Sequence, residues 1–98
     1  MSDTPEYPQT IEASVRLLMS VVRPREQDRI AAMSENQLTA LHMSLGLWLR
    51  NYLGLWKGNQ ALLDDSGQAH PDDASMVIVR AFWQSVRNER DLASPTLH

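Results

Sequence analysis

The stretch LGLWLRNYLGLW, residues 45–56, contains the phrase LGLW twice and lies in the most apolar part of the chain. Apolar residues recur there every three or four positions, which predicts a helix over about residues 34–53. Gly46 falls inside this helix, where we expect a second helix to cross closely, and Gly54 is expected to end it. The inward stripe of the helix is predicted to consist of Leu38, Leu41, Leu45, Leu49 and Tyr52.

The same segment also has apolar residues outside that stripe. A helix that is apolar nearly all round usually lies in the buried centre of a protein. We therefore expect residues 34–53 to form the central helix of the fold. The additional apolar residues are Ala40, Met43, Leu47 and Trp48.

Start and stop signals predict further helices before this segment. Thr10 is a suitable N-cap for a first helix, and Pro24 ends that helix and begins a short polar one over about residues 24–33. Ser34 followed by Gln37 has the form of a capping box, which marks the start of the central helix.

Two more helices are predicted in the C-terminal half. Asn59 is placed to cap a short helix over residues 60–65, and Pro71 begins a longer one over about residues 72–88. Residues 76–79, MVIV, would also suit a buried strand. We favour a helix there because the segment runs on without a break and no other segment offers a pairing strand.

The length of 98 residues suits one hydrophobic core and is too short for two. We predict an all-α fold, a compact bundle of four or five helices in one domain over residues 10–90, with helix 34–53 packed against helix 72–88. Residues 1–9 are expected to form an extended arm and residues 91–98 a frayed tail.

Composition narrows the classes of function. The net charge is −3 and the nine lysine and arginine residues are dispersed, whereas nucleic-acid-binding proteins usually concentrate their basic residues. No cysteine is present, which excludes disulfides and thiolate metal sites. The sequence shows neither a secretory signal nor an apolar run of about 20 residues that could span a membrane. We expect a cytoplasmic protein.

The acidic segment around residue 70 is a candidate metal site. His70, Asp72 and Asp73, with Asp64 and Asp65 across the loop, offer the oxygen and imidazole ligands that divalent cations take. The spacing matches no known calcium or zinc pattern. The preferred interpretation is that the acids begin a helix and that His70 hydrogen-bonds the loop.

Polar side chains near the end of the central helix allow a functional and a structural interpretation. Arg50 and Asn51 could bind an anion, and His42, at the border of the apolar stripe, could act as a general base. We prefer a structural role, in which His42 is a boundary residue and Arg50 pairs with an aspartate of the last helix. The expected structural network consists of Arg50, Asn51, Asn59, His70, Asp72 and Asp73.

The three tryptophans also allow two interpretations. Trp48, Trp56 and Trp83, together with Met43 and Met76, could form an interaction surface, because aromatic residues and methionine are enriched at interfaces. Packing inside the core is the preferred interpretation for a small all-α domain.

Three long phrases resemble a known family. YPQTIEASVRLL begins at residue 7, LHMSLGLWLRNYLGLWKGNQALL at residue 41 and HPDDASMVIVRAFW at residue 70. Together, over roughly residues 7–87, they are similar to a family of small bacterial helical proteins catalogued as a domain of unknown function. The resemblance implies a helical fold, a bacterial origin and no established activity, and members look like stand-alone accessory or defence-associated proteins.

No catalytic motif is recognisable, so we expect a binding protein without a cofactor rather than an enzyme. The predicted function is that of a small bacterial intracellular protein-binding domain. Its most specific version is an immunity-protein or antitoxin-like neutraliser of a partner toxin. The alternatives are a small metal-binding protein or enzyme that uses His70, Asp72 and Asp73, and a homodimer whose partner is a second copy.

Overall fold

The structure is a computed structural model that describes residues 7–93, apart from the side chains of His42 and of residues 91–93. The first helix, α1 (Ile11–Val21), begins at the predicted N-cap. The side-chain oxygen of Thr10 accepts a hydrogen bond of 3.0 Å from a backbone N–H of the first turn. This bond satisfies one of the N–H groups that a helix leaves without an internal partner at its start.

The second helix, α2 (Pro24–Ala31), is slightly shorter than the predicted range of 24–33 and begins with proline, as expected. One buried side chain joins it to α1. The Gln27 amide donates hydrogen bonds of 3.0 and 2.8 Å to the backbone carbonyls of Met19 and Val22, near the end of α1. The corner between the two helices is therefore fixed by polar contacts that satisfy carbonyls with no partner in the helix.

The segment predicted as one α-helix over residues 34–53 is helical throughout but changes its winding twice. Glu35–Leu41 is 3₁₀-helical, His42–Gly46 forms a π-helical turn, and only Leu47–Tyr52 is an α-helix, α3. Gly54 ends the segment as expected, with a left-handed φ of 71°. The prediction of a single α-helix is wrong in this respect, because apolar spacing of three to four residues does not distinguish tight, normal and wide helical turns.

The C-terminal half contains a short 3₁₀ turn at Leu55–Lys57 and two α-helices. These are α4 (Gln60–Ser66), capped by Asn59, and α5 (Pro71–Ala93). Residues 76–79 lie within α5, so the strand alternative is excluded. Within the described part of the chain, no helix combines the length and the apolar character needed to cross a membrane.

Helix α5, rather than the segment over residues 34–53, is the centre of the fold. It contacts α1, α2, α3, α4 and the helical turns between residues 35 and 46. Its inward residues are all buried, namely Ala74, Ser75, Ile78, Val79, Phe82, Trp83 and Val86. The predicted packing of the 34–53 segment against the last helix is confirmed. Only the side that faces α5 is buried, through Leu38, Leu41 and Leu49, and the opposite side is exposed.

The chain before α1 is docked onto the α3–α4 connection. The carbonyl oxygen of Pro8 accepts a hydrogen bond of 2.9 Å from the Asn59 amide. The ring of Tyr7 lies so close to Gly54 that a Cβ atom there would come within 2.5 Å of it. Residues 7–9 of the predicted extended arm are thus non-helical and held in place.

The two terminal segments of the sequence are only partly covered by the structure. Residues 1–6 of the arm lie outside the described residues, as do residues 94–98 of the predicted frayed tail. At the C-terminal end α5 continues to Ala93, beyond the predicted helix end at 88.

Candidate functional site

Arg50 forms a buried joint between α3 and α5. Its side chain is only 7% exposed, and its Nε lies 3.3 Å from a carboxylate oxygen of Asp72. No acceptor among the described residues is aligned with that N–H, so the contact is an ion pair without a directed hydrogen bond. A second nitrogen, Nη1, donates a hydrogen bond of 3.1 Å to Ser75 Oγ, which in turn donates one of 2.7 Å to the Asp72 carbonyl.

Gly46 lies beside this joint. A Cβ atom on Gly46 would lie 3.3 Å from the Nη1 of Arg50 and 3.6 Å from the Oγ of Ser75. The glycine inside the first LGLW phrase therefore leaves room for the guanidinium of Arg50. Ser75 of α5 lies at ordinary van der Waals distance, so the close helix crossing expected at Gly46 stays a prediction.

Of the six residues expected to form one polar network, only Arg50 and Asp72 come together. Asn51 donates to the Leu47 carbonyl of its own helix, at 3.1 Å. Asn59 forms a separate cluster, in which it bonds Pro8 and the Leu53 carbonyl at 2.8 Å and caps α4. The Leu53 carbonyl lies in the turn after α3 and the Pro8 carbonyl in the non-helical arm, and the Asn59 amide satisfies both.

The candidate metal ligands are also separate. His70 and Asp73 are exposed, and Asp72 faces Arg50. Within residues 7–93, no three histidine, aspartate or glutamate side chains are grouped as a metal ion would need. The two acids across the loop have structural contacts: Asp65 accepts a hydrogen bond of 2.7 Å from the Ile11 N–H, and Asp64 one of 2.9 Å from Gln60. The side chain of His42, the proposed general base, lies outside the described part.

The outward side of the central segment is an exposed apolar surface, which we call the aromatic face. It consists of Met43, Leu47, Trp48 and Tyr52, which are 78%, 49%, 42% and 39% exposed. Trp48 and Tyr52 stack on one another, with ring centroids 4.6 Å apart and planes 11° apart. Large exposed apolar side chains that cluster in this way are typical of interaction sites in soluble proteins.

The tryptophans divide between the surface and the core. Trp56 is also exposed, at 57%. Trp83 is buried at 9% exposure, and its ring N–H donates a hydrogen bond of 2.8 Å to the Met33 carbonyl. Its inclusion in a possible interaction surface is therefore wrong, because the ring packs beneath the chain that joins α2 to the central segment. The preferred core-packing interpretation holds for Trp83 and fails for Trp48 and Trp56.

A groove of about 440 Å³ lies directly beside the aromatic face and shares Trp48 with it. This volume is within the range of about 300–1,000 Å³ that is usual for ligand sites. The groove runs between the end of α1, helix α2 and the π-helical turn. Its lining residues are Val21, Val22, Arg23, Glu26, Arg29, Ile30, Leu41, Ser44, Leu45 and Trp48.

The π-helical turn at His42–Gly46 joins the two parts of this site. It supplies Met43 to the aromatic face and both Ser44 and Leu45 to the groove. Single π-helical turns are rare and occur frequently at functional sites. A larger hollow of about 540 Å³ lies between α1 and α5, but none of the large exposed apolar side chains lines it.

Sequence reasoning missed the groove and misjudged the face. Val21 and Arg23, which follow one another around the end of α1, carried no functional signal of their own. The all-round apolar character of the central segment was the available signal. In a small domain, a helix that is apolar nearly all round can have one side exposed as readily as it can be buried on every side.

A family model described as a domain of unknown function (DUF6794) matches residues 7–86. The chain belongs to this family. The DUF6794 match covers the docked arm, the aromatic face, the groove and the Arg50 joint. Searches of curated proteins and of solved structures found no match. The predicted membership of an uncharacterised family is thus confirmed.

Proposed function

We propose that the chain is a protein-binding domain that holds its partner through the aromatic face and the adjoining groove. The observation that carries the proposal is the exposure of four large apolar side chains on one short segment, Met43, Leu47, Trp48 and Tyr52. Tryptophan, tyrosine and methionine are enriched at protein interfaces and supply much of their binding energy. Leaving such side chains in water has no benefit for the fold itself.

The shape of the face also supports a macromolecular partner. Trp48 and Tyr52 are stacked before any partner arrives, so little side-chain freedom remains to be lost when they are covered. Met43 is the most exposed of the large apolar residues and has the flexible side chain that adapts to an irregular surface. Together they offer one rigid anchor and one adaptable contact.

A direct test compares which proteins three immobilised forms of the full chain capture from a lysate of the native host. The three forms are the natural protein, the double variant Leu47→Ser/Trp48→Ala, and the control Gln84→Ala/Asn88→Ala on the exposed side of α5. We expect the natural protein and the control to retain the same partner and the face variant to lose it. With purified partner, Trp48→Ala should weaken binding by about 30-fold, since a central tryptophan often contributes about 2 kcal/mol. Equal affinity of all three forms would contradict the proposal.

The more specific version of the proposal is that the partner is a toxin and that the protein is a bacterial, cytoplasmic immunity protein or antitoxin. It is supported by the net charge of −3, which suits a basic partner. Co-expression with the product of the adjacent gene tests this version. Growth should be rescued by the natural protein and by Gln84→Ala/Asn88→Ala, but not by Leu47→Ser/Trp48→Ala. Equal rescue by all three forms, or by none, would count against it.

A further inference from the structure

We propose that the groove beside the aromatic face takes an acidic apolar peptide segment of the partner, with an aliphatic or aromatic side chain on the groove floor and a carboxylate paired with Arg23. The inference rests on the proposed protein-binding function and adds to it the chemistry of the bound segment. An acidic segment is the expected occupant, because one positive charge at the groove has no acidic partner among the described residues.

The floor and walls of the groove are apolar. Ile30 and Leu41 are 3% and 7% exposed and close the bottom, while Val21 and Trp48 rise beside them at 43% and 42% exposure. A side chain of the size of leucine or phenylalanine that entered here would exchange water for aliphatic and indole contacts. Burying such a side chain typically contributes about 1.5–3 kcal/mol.

The ion pairs of α2 leave one positive charge at the groove. Its two acids are already neutralised: Glu26 pairs with Arg29 at 3.0 Å, and Asp28 pairs with Arg90 at 2.7 Å. Arg23 and Arg25 form no ion pair within the described part of the chain. Of these two, only Arg23 lines the groove.

The side chain of Arg23 has no part in starting the helix, although its backbone carbonyl accepts a hydrogen bond of 2.9 Å from the Gln27 N–H. Arg23 occupies the N-cap position of α2 in an extended conformation, and its side chain makes no capping hydrogen bond. Its guanidinium can therefore meet a carboxylate at the edge of an apolar surface, where partial removal of water strengthens the attraction. The net charge of −3 acts on a partner as a whole, whereas at short range in the groove the unpaired charge of Arg23 favours an acidic segment over a basic one.

A library of random peptides of about 12 residues, selected on the immobilised full chain, is the first probe. Peptides that also bind Leu47→Ser/Trp48→Ala are discarded, so that the remainder depends on this site. We expect these peptides to combine an aromatic or aliphatic residue with Asp or Glu. The strongest one is then synthesised with a twin in which every acid is replaced by Lys, and both affinities are measured by fluorescence anisotropy.

Charge reversal at two neighbouring arginines provides a matched pair of variants. Arg23→Glu and Arg25→Glu change the net charge equally, lie at the start of the same helix and are both exposed, but only the first alters the groove. We expect Arg23→Glu to weaken the acidic peptide by about tenfold or more and to favour the Lys twin. Arg25→Glu should change either affinity by about twofold. Equal effects of the two variants would overturn the pairing with Arg23.

The remaining outcomes separate this inference from the proposed function. If the selected peptides depend on Trp48 but are neutral or basic, the inference that the bound segment is acidic is wrong. The proposal that the aromatic face binds a protein is not affected by that result. A library that yields no Trp48-dependent peptide overturns the groove as a peptide site, whereas the capture experiment still decides the function of the face. A dimer seen by sedimentation that Leu47→Ser dissociates shows that a second copy occupies the face, which also overturns the inference.

Discussion

At the scale of single residues, Arg50 shows how a buried charge is accommodated at a helix crossing. Its guanidinium is nearly inaccessible, while its partner Asp72 remains 54% exposed, so water still reaches one end of the pair. Such a pair contributes little net stability compared with an apolar contact, but removing one partner leaves a buried charge or a void. Arg50 is therefore expected to be sensitive to substitution without being a ligand-binding residue.

Replacing Arg50 by glutamate tests this role. Arg50→Glu places a second negative charge beside Asp72 in a buried position, and we expect it to lower the free energy of unfolding by about 2–4 kcal/mol. The matched control is Arg80→Glu, since Arg80 also pairs with an acid, Glu35, but is 57% exposed. The control should cost about 1 kcal/mol or less. Urea denaturation of both variants measures the difference, and similar midpoints would contradict the buried joint.

Two glycines with a left-handed backbone conformation allow the cost of backbone strain to be measured apart from the cost of a steric clash. Gly54 and Gly67 have φ values of 71° and 74°, but only a Cβ on Gly54 would collide with a neighbour, the Tyr7 ring. We expect Gly67→Ala to cost about 1 kcal/mol from the backbone alone, and Gly54→Ala to cost more. Adding Tyr7→Ala to Gly54→Ala should recover part of the loss in a double-mutant cycle. An additive cycle would show that the arm does not pack there.

At the scale of the elements, the helix starts were predictable because their causes are local. Thr10 and Asn59 cap α1 and α4, Pro71 begins α5, and the Gln37 side chain accepts a hydrogen bond of 2.8 Å from the Ser34 N–H. Each of these contacts joins residues within a few positions of one another. The change of winding between residues 35 and 46 had no such local signal, because apolar spacing of three to four residues suits 3₁₀, α and π turns alike.

Asn59 connects a helix start to the docking of the arm, and two substitutions separate these roles. Asn59→Asp keeps an oxygen that can cap α4 but removes the amide donor to Pro8 and Leu53, whereas Asn59→Ala removes both. We expect Asn59→Ala to be the less stable of the two by about 1 kcal/mol. In both variants limited proteolysis should cut the arm at residues 7–9 faster. An unchanged rate of cleavage in Asn59→Asp would show that the amide does not hold the arm.

At the scale of the whole molecule, the decisive fact is which helix the others surround. The fold class and the helical nature of residues 76–79 followed from the sequence, because neither depends on the order of packing. The exposure of the aromatic face did not, because it follows from the placement of α1, α2 and α4 around α5. Leu47 and Leu49 are only two positions apart in the same apolar segment. Leu49 is 0% exposed because it faces α5, whereas Leu47 is 49% exposed because it faces away from α5.

That pair of leucines offers a test of the packing order. Leu47→Ser should lower the free energy of unfolding by about 1 kcal/mol or less, because about half of the side chain lies in water already in the folded state. Leu49→Ser should cost about 3 kcal/mol or more, because it leaves a cavity and buries a hydroxyl. Thermal denaturation of the two variants is sufficient to compare them. Equal losses would mean that the outer side of the segment is covered.

The division of the tryptophans between core and surface makes the protein its own optical reporter. Trp83 is shielded and hydrogen-bonded to a backbone carbonyl, whereas Trp48 and Trp56 face water. A Trp48→Phe/Trp56→Phe variant would therefore emit from one indole that iodide does not quench until the chain unfolds. A variant that keeps only Trp48 would report, by a blue shift of its emission, the moment at which any molecule covers the groove. Folding and occupancy can thus be followed separately in these two variants without attaching a dye.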